Sequence, residues 1–83
     1  MPTVLRVADF AFNFYSDDHE PAHVHARNGE GVAVIEIATG RIMQRHGDIR
    51  MKDVQRAVAI VAEHKDYLQS EWTRFAFRRG VKK

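Results

Sequence analysis

Residues 23–38 decide the fold class of this chain, and their sequence is HVHARNGEGVAVIEIA. Two segments of alternating polar and apolar residues flank Asn28-Gly29, a dipeptide that favours a hairpin because both of its residues accept positive φ. In the first segment, Val24 and Ala26 share one face of the predicted strand. The opposite face carries His23, His25 and Arg27. The stretch therefore predicts a β-hairpin with one apolar face and one polar face.

Alternation elsewhere in the first half of the chain predicts further strands. Phe10, Phe12 and Phe14 would point to one side of a strand, which favours a core position for all three rings. The predicted strands cover about residues 3–7, 10–15, 23–27, 32–38 and 41–46. We therefore expect an antiparallel meander of four to five strands over about residues 3–46.

From about Met51 the spacing of the apolar residues lengthens to that of a helix. The positions separated by four and three residues are Val54, Val58, Val61, Lys65, Leu68, Trp72 and Phe75. This stripe predicts one long helix over about residues 50–77, or a helix that is broken near Lys65, its single polar member. The sequence thus predicts an α+β fold, with a long C-terminal helix packed on one face of a small sheet.

Length and composition limit the function classes that this chain can belong to. Its 83 residues are 45% hydrophobic and 29% charged, which predicts one globular domain over residues 1–83. The absence of cysteine excludes disulfides, thiolate nucleophiles and cysteine-bound metals. The longest apolar run, residues 57–62, is much shorter than a membrane-spanning helix. We expect no leader segment, no membrane association and a cytoplasmic location.

Charge is distributed unevenly along the chain. Residues 1–40 hold two basic and six acidic residues, whereas residues 41–83 hold eleven basic and five acidic ones. The C-terminal end, including a basic tail at 78–83, contributes Arg74, Arg78, Arg79, Lys82 and Lys83. Such a segment is typical of contact with nucleic acid or with an acidic partner, and it is equally consistent with a solubilising terminus.

The polar face of the first hairpin strand holds the residues that could carry chemistry. His23 and His25 could act as general base and general acid in metal-independent RNA cleavage, with Arg27 stabilising charge on a phosphoryl oxygen. The RNA 2′-hydroxyl would be the nucleophile, so that no serine or cysteine is needed. The same pattern also suits the solvated side of a half-buried strand, with no chemistry at all.

Metal binding is a third interpretation of the histidine-rich stretch. His23 and His25 would lie about 6.6 Å apart along the strand, close enough to share one ion. His19, or a carboxylate of Asp17, Asp18 or Glu20, could supply a third ligand. Because a His-x-His pair alone is a weak signal, we expect no cofactor.

Three runs of sequence resemble a known bacterial family. They are Met1-Pro2-Thr3-Val4-Leu5-Arg6, Phe12-Asn13-Phe14-Tyr15-Ser16 and His19-Glu20-Pro21-Ala22-His23-Val24-His25. Together they are similar to the domain-of-unknown-function 4160 family, whose motif has the form F-x-F-Y-S, acidic residues, then E-P-P-H-V-H. Ala22 replaces the second proline of that motif. Arg50 stands where members often carry a small capping residue, so the helix start is expected to shift toward Asp48.

The resemblance implies a role and a set of positions rather than a reaction. Members are often encoded beside a small protein of the domain-of-unknown-function 2442 family, which implies a component of a two-gene, toxin–antitoxin-like system. The motif points to Tyr15, Ser16, Glu20, Pro21, His23 and His25 as partner-recognition residues. Our leading hypothesis is therefore a binding or regulatory module that acts through a small protein partner. An open sheet edge would also permit a homodimer.

Overall fold

The computed structural model describes residues 3–15 and 19–78. Five strands come first: β1 (Thr3–Val7), β2 (Phe10–Asn13), β3 (His23–Asn28), β4 (Gly31–Glu36) and β5 (Ile42–Gly47). Two helices follow, α1 (Met51–Glu63) and α2 (Lys65–Arg78). Each strand pairs antiparallel with its neighbour in the order β1-β2-β3-β4-β5. This architecture confirms the predicted α+β meander.

The hairpin between β3 and β4 forms where the sequence predicts it, but with a different turn. Asn28 pairs with Gly31, so Gly29 and Glu30 form the two-residue loop. The Asn28 side-chain oxygen accepts hydrogen bonds from the backbone N–H groups of Glu30 (2.9 Å) and Gly31 (3.2 Å). Neither Asn28 nor Gly29 has the expected positive φ, because this side chain closes the turn instead.

Two strands are shorter at their C-terminal ends than the alternation predicts. β2 stops at Asn13, and Phe14 leaves the sheet to pack its buried ring against Trp72 at 5.2 Å between centroids. β4 stops at Glu36 because the chain turns there, with the Gly40 N–H donating to the Glu36 carbonyl at 2.8 Å. Gly40 has φ 77°, a left-handed conformation that glycine adopts without steric cost.

The core lies between one face of the sheet, here called the inner face, and the two helices. It is a continuous cluster of Phe10, Phe12, Phe14, Val24, Ala26, Ala33, Ile35, Ile37, Ile49, Val54, Ala57, Val61, Leu68 and Trp72. The three phenylalanines and most of the helical stripe are therefore buried together, as the sequence predicts.

The C-terminal helix is broken, so the prediction of one continuous helix is wrong and its alternative is correct. The break falls at His64, whose φ of −111° and ψ of 25° lie outside the helical region. Lys65, the polar member of the stripe, is exposed at the start of α2. The expected shift of the helix start is also wrong, because the Arg50 carbonyl accepts the first helical bonds and α1 begins at Met51.

A cluster around Arg56 fastens the β1–β2 turn to α1. The Arg56 guanidinium donates to Asp9 at 2.8 Å and to Asp53 at 2.9 Å, and it lies 5.2 Å from the centre of the Phe10 ring. These contacts hold the pKa of the Asp9 carboxyl below its usual value, chiefly through the hydrogen bond from Arg56.

Among residues 3–15 and 19–78, no helix is long and apolar enough to cross a membrane.

Candidate functional site

Side chains of all five strands meet on the face of the sheet opposite the helices, here called the outer face. Cross-strand partners share a face, so the register places two rows across this surface. The central row consists of Thr3, Asn13, His25, Val34 and Gln44. The basic row, next to it, consists of Arg6, Ala11, Arg27, Val32 and His46. The polar face predicted for β3 is thus the middle of a five-stranded surface.

Tyr15, His25 and Arg27 form an ordered group on the outer face. The Tyr15 and His25 rings stack in parallel, with centroids 3.9 Å apart and an interplanar angle of 4°. Arg27 donates from its guanidinium to the Tyr15 hydroxyl at 3.3 Å. Both rings are half-buried and Arg27 is exposed. The phenol therefore lies between an imidazole and a cation at the surface.

His23 occupies a different environment from the one that the alternation predicts. It is 9% exposed rather than solvent-facing, because the Trp72 ring reaches past the end of the sheet to within 5.4 Å of the imidazole. Its Nδ1 lies 2.8 Å from the Pro21 carbonyl oxygen. A carbonyl only accepts hydrogen bonds, so Nδ1 carries a proton in this contact. The ring is held in one orientation between the loop and the core.

The structure does bring the two predicted acid–base residues together. The His23 and His25 rings meet edge-on at 5.4 Å, and Arg27 follows on the same face of β3. The burial of His23 limits access of a substrate to that ring. Their roles in RNA cleavage stay a prediction.

Glu20, which precedes β3, is hydrogen-bonded to α2. Trp72 donates from Nε1 to the Glu20 carboxylate at 3.1 Å, and the Glu20–Pro21 peptide bond is cis. Glu20 and Pro21 are themselves exposed. Two of the motif positions are therefore presented at the surface by a loop with contacts to both β3 and α2.

The remaining sequence-predicted residues do not join this group. Ser16 lies outside the described residues, as do Arg79, Lys82, Lys83 and the side chain of Arg78. Arg74 is exposed on α2. His19 is exposed in the loop, and no group of three histidine or acidic side chains in the described parts of the chain could hold a metal ion. The structure thus does not assemble the three-histidine metal site.

The chain matches the model of a known protein family. The family described as domain of unknown function (DUF4160) matches residues 10–73. The chain belongs to this family. The matched region of this DUF4160 domain contains the stacked Tyr15–His25 pair, Arg27 and Trp72, whereas Arg6 in β1 precedes it. No curated protein and no solved structure matches the chain.

Asn13 is the functional candidate that sequence reasoning missed in this DUF4160 domain. It is 6% exposed, and among the described residues its buried Oδ1 has no hydrogen-bond partner. It lies in the central row between Thr3 and His25. A polar residue between Phe12 and Phe14 is the signal that could have drawn attention to it. A buried acceptor without a donor costs stability, which makes Asn13 a candidate position on the outer face.

We expect Asn13→Val to raise the free energy of unfolding by about 1 kcal/mol. The substitution removes the unpaired acceptor and places a β-branched side chain in a strand. Urea unfolding followed by circular dichroism measures the change. Asn13→Asp is the matched control, because it retains a buried acceptor and adds charge, so it should destabilise the domain. A valine variant that is less stable than the wild type would contradict the assignment of a stability cost to Asn13.

Proposed function

We propose that this DUF4160 domain is a binding module of a two-gene, toxin–antitoxin-like system in the cytoplasm. It recognises a small protein partner through the part of the outer face formed by Tyr15, His25 and Arg27, together with the exposed Glu20 and Pro21. The observation that carries the proposal is the separation of the two faces. Both helices pack on the inner face, while the motif residues form an ordered group at the outer one.

The contacts beneath this surface support a binding role. The His23 ring is fixed by the Pro21 carbonyl and by Trp72, and Trp72 also holds Glu20. Glu20, Pro21 and the first residues of β3 therefore have their conformation set before any partner arrives. Such preorganisation lowers the entropic cost of binding. Burial of His23 in this support also favours binding over catalysis, since a general acid or base must reach its substrate.

A charge reversal at the surface tests the proposal. We expect the full-length protein to form a complex with a small protein of the domain-of-unknown-function 2442 family encoded beside a member of this family. Arg27→Glu should weaken that complex about tenfold or more, because Arg27 loses its charge and its contact with Tyr15. Isothermal titration calorimetry measures the affinity, and size-exclusion chromatography shows whether either protein is a homodimer.

Lys52→Glu is the matched control, because Lys52 is exposed on α1, away from the outer face. It should leave the affinity unchanged although it alters the net charge equally. Equal weakening by both reversals would contradict recognition at the outer face. Failure of the two wild-type proteins to associate would contradict the proposed partner. Growth on induced expression, with and without the partner, then shows which of the two is the toxin.

A further inference from the structure

We propose that the outer face of the sheet also binds single-stranded RNA, with the basic row on the phosphates and the central row toward the bases. This inference does not depend on the protein partner. It rests on the placement of three basic side chains from three different strands. Arg6 in β1, Arg27 in β3 and His46 in β5 lie in one row, and all three are exposed.

The geometry of the basic row suits an extended anionic chain. Neighbouring strands lie about 4.8 Å apart, so Arg6 and Arg27 are separated by about 10 Å, and Arg27 and His46 by a similar distance. Ala11 and Val32, the members between them, are too short and too apolar to compete for an anion. A chain that crosses the strands would therefore meet a basic group at every second strand.

Neither the basic row nor the central row contains an aspartate or glutamate, and in the described parts of the chain no carboxylate pairs with Arg6 or Arg27. Three acidic side chains of the adjoining turns and strand end are paired elsewhere: Asp9 with Arg56, Glu30 with Arg50, and Glu36 with Arg41. Asp48, in the turn after β5, is exposed and has no ion pair among the described residues. The Arg41 hydrogen bond also keeps the pKa of the Glu36 carboxyl below its usual value. The two arginines of the basic row thus attract anions to this part of the outer face.

The central row and Tyr15 favour RNA over an acidic protein as the occupant. Exposed Gln44 lies in this row, with its side-chain oxygen 3.0 Å from the His46 ring. A side-chain amide is a group that pairs with base edges, and it carries no charge that would favour a carboxylate. The Tyr15–His25 pair adds aromatic surface of the kind on which unpaired bases stack. Double-stranded RNA would present neither base faces nor splayed amino groups to a flat sheet.

Fluorescence anisotropy with full-length protein tests the inference. The probe is a 5′-labelled single-stranded RNA of mixed sequence and about 12 nucleotides. We expect binding at low salt that weakens as salt rises, with the logarithmic slope changing by about 0.7 for each phosphate contact removed. Arg27→Gln should weaken binding about tenfold. Arg6→Gln/Arg27→Gln should weaken it about a hundredfold and reduce the slope by about 1.4.

Lys52→Gln serves as the control, because it removes one charge from α1 without touching the outer face. Arg6, Arg27 and Lys52 are all exposed, so the variants at these positions should keep the wild-type melting temperature. Wild-type affinity in the double variant would overturn the inference, and so would equal loss in Lys52→Gln. Binding of labelled poly-L-glutamate as tight as that of RNA, with the same dependence on Arg6 and Arg27, would assign the face to an acidic protein instead. Absence of RNA binding would overturn this inference. It would not affect the proposed protein partner, which the calorimetric titration tests separately.

Discussion

Trp72→Ala is expected to lower the free energy of unfolding by about 3–5 kcal/mol. Trp72 is 4% exposed and is the largest side chain in the core. Its ring contacts Phe14 edge-on at 5.2 Å, Phe75 at 5.9 Å and His23 at 5.4 Å between centroids. Truncation would leave a cavity bordered by Phe14, by His23 of β3 and by Phe75 of α2, and these parts of the chain cannot all move in to fill it.

The same substitution would also remove contacts that hold two residues of the candidate site in place. Without the indole, Glu20 loses its donor and His23 loses the ring that packs on it. A domain of 83 residues has a total stability of about 4–12 kcal/mol, so Trp72→Ala could leave little folded protein. Trp72→Phe is therefore the decisive companion, since it keeps most ring contacts and removes the Glu20 bond. We expect it to cost about 1–2 kcal/mol.

Urea unfolding followed by circular dichroism measures both variants. Fluorescence is unsuitable, because Trp72 is the only tryptophan in the chain. A loss below about 1 kcal/mol for Trp72→Ala would contradict the central position of this ring in the core. Partner binding by the folded Trp72→Phe variant then reports chiefly the contribution of the Glu20 contact.

Gly31→Ala is expected to lower the free energy of unfolding by about 2–3 kcal/mol. A Cβ atom at Gly31 would overlap the backbone carbonyl oxygen of His46 and lie 3.1 Å from the backbone nitrogen of Ile49. These atoms belong to β5 and to the segment that leads into α1, and backbone cannot rotate away as a flexible side chain can. The pairing between β4 and β5 would have to shift.

Gly29→Ala is a control from the same hairpin. A Cβ atom at Gly29 would meet nothing within 4 Å, and Gly29 does not have positive φ. We expect its stability to stay within about 0.5 kcal/mol of the wild type. Thermal and urea unfolding compare the two variants directly. Equal effects at Gly29 and Gly31 would show that chain flexibility, rather than close approach of backbones, is what the glycines supply.

The candidate site was predictable in part from the sequence. Alternation places His25 and Arg27 on one face of β3, and the family motif points to Tyr15, Glu20 and His23. The sequence could not show that Tyr15 stacks on His25. β2 ends at Asn13, and the position of the next two residues depends on packing. Nor could it show that His23 is buried, since Trp72 reaches it from a helix that begins far along the chain.

The sequence by itself determined the strands, their inner and outer faces and the hairpin at Asn28, because side-chain period and turn chemistry are local properties. Only the tertiary structure decided the break at His64, the burial of His23 and the row that joins Arg6, Arg27 and His46. Each of these requires the register between strands or the docking of a helix. Such contacts join residues distant along the chain, and their geometry follows from how the whole core packs.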